Sequence, residues 1–272
     1  MITAQPPASP RSVGDYLREW RQRRRLSQMD LALDAQISTR HLSFLETGRS
    51  TPSREMVLHL AECLDVPLRE RNALLMAAGY APLFPERRLD DPALQAARKA
   101  VELVLAGHEP YPALAIDRHW NLVLYNKAVP PLLAGVDTTL LQPPVNVLRL
   151  SLHPQGMAPR IVNYREWRAH LLERLRQQVA ATADPVLSDL MEELAAYPAP
   201  ADAAQDETGK EEYGGVVVPF RLKTDAGTLS FISTTTVFGT PVDVTLSELA
   251  LESFFPADAE TAALLRAPGS VA

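Results

Sequence analysis

The chain has 272 residues, 46% of them hydrophobic and 22% charged, with one cysteine and a formal net charge of -6. That composition suits two folded domains of ordinary size and excludes a chain disordered throughout, and the lone cysteine excludes an internal disulfide framework. The apolar runs break at charges or prolines well short of a membrane span, and no basic segment followed by an apolar one opens the chain, so a cytoplasmic protein without membrane contact is expected.

The charge is unevenly divided. Residues 1–83 hold eleven arginines and nine acids, a balance of +2, whereas the remainder carries -8. Only the first part is suited to approach phosphate, and its small excess favours binding as a dimer, which adds affinity and specificity.

Residues 1–11 are expected to be disordered. A first helix then begins at Ser12, capped with Asp15, and Val13, Tyr16, Leu17 and Trp20 recur at helical spacing. The run Arg21, Arg23, Arg24 and Arg25 reads either as a phosphate contact or as a solvated face. Ser27 and Asp30 cap a second helix with Leu31, Ala32 and Ala35 on its inner side. Gln36 and Ile37 leave room only for a tight turn before Ser38 caps a third helix, which Gly48 stops in a left-handed conformation.

In that third helix Leu42 and Leu45 face inward with Ile37, while Thr39, Arg40, Ser43, Phe44 and Thr47 face outward. Two short helices joined by a turn, the second with a polar outer face, form a unit that presents a helix to the major groove of DNA. Arg40 can form a bidentate bond to guanine, Thr39 can bond or pack against a thymine methyl, and Phe44 offers apolar contact to thymine. Ser53 starts a fourth helix with Val57, Leu58, Leu60, Ala61 and Leu64; Pro67 and Gly79 bracket a fifth. Cys63 on the fourth helix reads as a small buried hydrophobe.

Residues 12–79, with LSQ opening the second helix and LETGRSTPS closing the third, resemble a lambda-repressor-like, Xre-type helix-turn-helix domain. The resemblance implies an all-α five-helix domain over 12–80 that binds double-stranded DNA, as a homodimer. Carried over by position, Gln28 bonds a phosphate, Thr39, Arg40 and Phe44 face bases, and Thr47, Arg49 and Ser50 lie near the backbone, with Ser38 and Ser43 on the same DNA-binding face. Arg21 is implied to pair with Glu46. Family members often carry a polar residue where this chain has Phe44, so apolar contact is expected at that base step.

APLFPERRLDDP, residues 81–92, reads as an interdomain linker. A helix follows over Ala93 to Leu105, with Leu94, Ala97, Val101, Val104 and Leu105 in one stripe. Ala113 to Asp117 and Leu122 to Tyr125 fit an antiparallel hairpin; Gly215 to Leu222, Thr228 to Phe238 and Val242 to Phe255 repeat the strand pattern. Two helices, Tyr164 to Ala183 and Pro185 to Tyr197, lie between the halves of this single antiparallel sheet. Residues 198–213 are alanine-rich, acidic and expected to be mobile, and Ala257 to Ala267 closes the chain as a helix.

PALAIDRHWNLVLYNKA, NVLRLSLHP and YREWRAHLLERL make residues 93–267 resemble the PAS-like ligand-binding domain of MmyB-like transcription regulators. That likeness implies an α+β domain that senses a small apolar molecule such as a fatty acid and contributes to dimerisation. Trp120, Tyr125, Trp167, Phe231 and Phe238 can line an apolar pocket, with Asn126 or Arg149 orienting a polar head; an aromatic on a strand or helix face is more often plain core, and Arg149 reads alternatively as a partner of a carboxylate such as Asp117 or Glu252. A protein-interaction module without a metabolite is the alternative reading of this half. The six histidines are scattered, and HExxH, CxxC, a phosphate-cradling glycine loop and GxSxG are all absent, so no catalytic residue, metal site or cofactor is expected.

Overall fold

The computed structural model describes residues 11–201, 217–239, 241 and 243–266. These divide into two compact units. The first runs through Arg87 and takes in Asp243 and Val244; the second begins at Arg88 and holds the remaining described residues.

The first unit contains α1 (Val13–Arg23), α2 (Gln28–Asp34), α3 (Thr39–Glu46), α4 (Arg54–Cys63) and α5 (Leu68–Ala77). Four serines fix four of the starts: Ser12, Ser27, Ser38 and Ser53 each accept a backbone N–H three residues on, and the carboxylates of Asp15 and Asp30 reciprocate at the first two. The left-handed Gln36 turns the chain between α2 and α3. Gly48, at φ +70°, ends α3 while the N–H of Arg49 bonds the carbonyl of Phe44 at 2.8 Å. Leu17, Trp20, Leu31, Leu42, Leu45, Leu60 and Leu74 fill the core among the five helices.

At one point α1 needs glycine for a different reason. A Cβ on Gly14 would lie 2.5 Å from the carbonyl oxygen of Leu45 and 2.8 Å from that of Glu46, so α1 rests directly on the last turn of α3. The segment after α5 is also held: Asn72 accepts the N–H groups of Leu83 and Phe84, each at 3.0 Å, and donates to the Phe84 carbonyl at 2.7 Å. The linker expected over 81–92 therefore starts with residues that belong to the helical unit, because one buried amide satisfies three backbone groups there. The Pro85 carbonyl accepts from Val244, and Arg87 pairs with Asp243, which places that distant stretch in the same unit.

In the second unit a 3-10 turn at Pro92–Leu94 leads into α6 (Gln95–Gly107), two residues later than the hydrophobic stripe suggested. Then come β1 (Ala113–Ile116), β2 (Leu122–Tyr125), α7 (Val147–Leu152), α8 (Tyr164–Thr182), α9 (Pro185–Ala196), β3 (Phe220–Thr224), β4 (Gly227–Val237), α10 (Val244–Ser247, whose first residue is counted with the first unit), β5 (Ala250–Pro256) and α11 (Ala259–Arg266). The five strands form one antiparallel sheet in the order β2-β1-β5-β4-β3. Alternation sorts its side chains: Ala113, Ala115 and Leu251 pack with Val101 and Leu105 of α6, while Leu114, Phe220, Phe231 and Phe254 turn toward α7, α8 and α9.

Two expectations change here. Val242 to Phe255 is not one strand, since α10 occupies Val244–Ser247 and only Ala250–Pro256 pairs with β1 and β4. The helical turn α7 was not anticipated; Asn146 caps it by accepting from the N–H groups of Leu148 and Arg149. The N-terminal residues 1–10, most of the acidic 198–213 stretch, Gly215 and Ala267 lie outside the described residues.

Candidate functional site

The outer face of α3 is built by its inner one. Leu42 and Leu45 are fully buried, which leaves Ser38, Thr39, Arg40, Thr47 and Arg49 exposed and Ser43, Phe44 and Ser50 half-buried. Phe44 is clasped by two cations: the guanidinium carbons of Arg40 and Arg49 lie 5.3 and 5.9 Å from its ring centroid. A ring set beside two guanidinium groups combines apolar surface with donors suited to base edges or phosphate. Ser38 is also the cap of α3, accepting from the His41 N–H at 3.1 Å, and the Thr47 hydroxyl donates to the Ser43 carbonyl at 2.7 Å.

Behind this face sits a buried carboxylate. Glu46, the last residue of α3, accepts Nε and Nη2 of Arg21 at 2.6 and 2.9 Å and Nε2 of Gln28 at 2.8 Å. Burial pushes the carboxyl up, but the bonds from Arg21 and Gln28 outweigh it and hold Glu46 below the ordinary value. Gln28 is thereby oriented at the start of α2. Among the neighbouring arginines, Arg24 donates to the carbonyls of Leu64 and Asp65 and Arg23 pairs with Glu19, so these two are tied to the fold, while Arg25 stays exposed.

The second unit holds a partly open cavity of about 100 Å³. Leucines and valines from β1, β2, the 129–133 turn, α7 and α8 supply half of its wall, with Trp120, Trp167, Phe220 and Phe254 as the aromatic part. Trp120 sits at φ +65°, a conformation costly for a bulky residue, in the turn between β1 and β2. The turn is pinned by Asp117, whose carboxylate accepts the N–H groups of His119 and Asn121, and the indole N–H bonds Gln178 at 2.7 Å. Trp167 donates its N–H to the Ser151 hydroxyl at 2.9 Å.

Of the pocket candidates read from sequence, Trp120 and Trp167 line this cavity and the other five do not. Tyr125 is 54% exposed on the edge strand. Asn126 is buried but spent on backbone, donating to the Leu105 and Tyr111 carbonyls and accepting from Ala113. Arg149 bonds Glu193 through two nitrogens at 2.8 and 2.7 Å, not Asp117 or Glu252; Tyr197 donates to the same carboxylate, and burial, then Glu193, pushes its phenol up to about 12. Phe231 is packed in the core, and Phe238 belongs to the cluster on the opposite side of the sheet.

The residues missed are the cavity's polar ones: Ser151, Arg174 and Glu252. Arg174 donates to Glu252 at 2.6 Å and to the Thr235 hydroxyl at 3.0 Å, and its guanidinium carbon lies 4.8 Å from the Trp120 ring centroid. The signal was in the spacing. Trp167, Leu171 and Arg174 follow the i, i+4, i+7 stripe of α8, and Glu252 alternates with Phe254 on the inner face of β5, so each charge interrupts an otherwise apolar face. Among the described residues, no group of three or more His, Cys, Asp or Glu side chains is placed to hold a metal ion, and no helix is long and apolar enough to cross a membrane.

This architecture defines a helix-turn-helix unit followed by an α+β unit, and family comparison agrees. Residues 12–74 match a helix-turn-helix domain, and residues 97–267 match the MmyB-like transcription regulator ligand binding domain. The chain belongs to the MmyB-like transcription regulators, proteins that bind DNA and carry a ligand-binding domain. It is also 36% identical over 120 residues to a protein of Methanoculleus marisnigri named as an HTH-type transcriptional regulatory protein. That match covers 42% of this chain and 38% of the relative, so the chain spans well under half of that protein. The crystal structure of the clp gene regulator ClgR from Corynebacterium glutamicum is similar at 25% identity, covering 39% of this chain and 99% of that one, with a TM-score of 0.23, too low to bear on the fold.

Proposed function

We propose that this regulator binds a two-fold operator as a homodimer in the cytoplasm, with α3 of each copy in successive major grooves, and that a small apolar, fatty-acid-like molecule in the second unit's cavity sets its affinity for DNA. The observation that carries the reading is the outer face of α3, where Thr39, Arg40, Phe44 and Arg49 stand out from helices whose leucines are fully buried. In this reading Arg40 and Thr39 read base edges, Phe44 meets a thymine methyl, and Gln28, Thr47, Arg49 and Ser50 position the helix on the phosphates. Gating requires the ligand to prefer one arrangement of the dimer, since equal affinity for both would shift nothing.

Selection of bound fragments from random DNA, followed by footprinting, tests it. Enriched sequences should carry two inverted half-sites about 34 Å apart along the duplex. A single unpaired half-site would remove the dimer, and no enrichment would remove sequence-specific recognition.

A further inference from the structure

Two uses of arginine stand side by side in the helical unit. Arg18, Arg21 and Arg24 donate to oxygens of the fold: the Glu46 carbonyl, the Glu46 carboxylate, and the carbonyls of Leu64 and Asp65. Arg40 and Arg49 are exposed and make no hydrogen bond or ion pair among the described residues; what each of them meets is the ring of Phe44.

Spacing explains the arrangement. Arg40 precedes Phe44 by about one turn of α3, so the two side chains share a face. Arg49 returns to the same ring because Gly48, at φ +70°, reverses the chain, and the N–H groups of Arg49 and Ser50 both bond the Phe44 carbonyl, at 2.8 and 3.2 Å. The guanidinium carbons then stand 5.3 and 5.9 Å from the ring centroid.

A carboxylate partner would hold an arginine by occupying its N–H groups. An aromatic ring attracts the charge through its quadrupole and leaves those donors for another acceptor. An exposed arginine samples many rotamers, and freezing them on binding costs affinity, so a ring that already confines the side chain lowers that cost.

We propose that Phe44 is a positioning residue for DNA recognition: its ring holds the Arg40 guanidinium ready for a base edge and the Arg49 guanidinium ready for the phosphates, with their donors open, in addition to its own apolar contact. The inference rests on α3 being the helix that reads DNA. It makes the discrimination supplied by Arg40 depend on the side chain at position 44.

Phe44→Leu and Phe44→Tyr separate this role from the others, since leucine keeps apolar surface for a thymine methyl without an aromatic face, while tyrosine keeps the face. The operator is the sequence that the parent protein enriches from random DNA. The full-length parent, both variants, Arg40→Ala and the double variant Arg40→Ala with Phe44→Leu are titrated by fluorescence anisotropy on that operator, on its single-base variants and on unrelated DNA. Thermal melts check that each protein is folded, and Phe44→Met replaces the leucine variant if its melt falls.

Phe44→Leu should lose discrimination about two- to fivefold at the base pair where Arg40→Ala loses it, the worth of an exposed cation–π contact. Phe44→Tyr should keep it. In the Phe44→Leu background Arg40→Ala should cost less than in the parent, by the same factor. A loss equal on every sequence, unrelated DNA included, would mean that Phe44 only supports the helix and would overturn the proposal, as would strictly additive losses or a tyrosine variant that behaves like leucine. If Arg40→Ala alone changes neither affinity nor discrimination, the reading of α3 itself fails and takes the inference with it.

Discussion

Arg21 and Glu46 join α1 to the end of α3 through two parallel contacts, at 2.6 and 2.9 Å, and the Glu46 side chain is wholly buried between them. The pair is what holds the outward-facing helix at a fixed angle to the bundle. Deleting one member strands the other, which costs about 3–5 kcal/mol for a buried pair. Glu46→Ala should therefore lower the urea midpoint of the helical unit by that order. A variant as stable as the parent would show that the ion pair is not what fastens α3.

Acid should release the same fastening. Because bonds from Arg21 and Gln28 hold Glu46 below its ordinary value of 4.5 despite burial, the unfolded chain takes up its proton first. The stabilisation is complete above about pH 4.5 and is lost as the pH falls through the folded value. Asp15 and Asp30 are lowered too, chiefly by hydrogen bonds to Ser12 and Ser27, so the informative quantity is a difference. The melting temperature of Glu46→Gln should fall less steeply below pH 4.5 than that of the parent, and parallel curves would refute the assignment.

Gly14 is expected to be intolerant of even one methyl group. The added carbon would meet backbone, the Leu45 carbonyl at 2.5 Å, and no side chain can move aside to admit it. Gly14→Ala should cost about 1–3 kcal/mol, the usual range for overpacking, despite the higher helix propensity of alanine. Thermal unfolding decides it: a gain in stability would mean that α1 and α3 are not in contact at that point.

In the second unit, Arg174→Ala should destabilise by about 3–5 kcal/mol, because Glu252 would keep only the Thr235 hydroxyl. The double variant Arg174→Leu with Glu252→Leu removes both charges and should recover most of that loss. Denaturant titration of the three proteins checks the coupling. Additive losses would mean the two residues act independently.

The helical unit was largely legible in sequence because its signals are local. Each of Ser12, Ser27, Ser38 and Ser53 marks a helix start within three residues of its partner, and Leu42 and Leu45 declare the inner face of α3 by spacing alone. The Arg21–Glu46 pair, 25 residues apart, came from resemblance. The cavity was less legible because its wall is assembled from distant strands, turns and helices, so an aromatic such as Phe231 or Phe238 gives no local sign of which side of the sheet it meets. Asn126 and Arg149 looked available for the same reason: the Leu105 carbonyl and Glu193 that occupy them lie 21 and 44 residues away. Val244–Ser247 was taken as strand because four apolar and hydroxyl residues carry too little periodicity to separate a helical turn from an extended run.

The central claim is that α3 reads DNA through its outer face, and the most direct measurement compares the parent with Arg40→Ala on one operator and on single-base variants of it by fluorescence anisotropy. Arg40→Ala should lose about 1–3 kcal/mol on the parent operator and most of the discrimination at one base pair, while non-specific binding to unrelated DNA changes little. Equal affinity and equal discrimination by the two proteins would contradict the account.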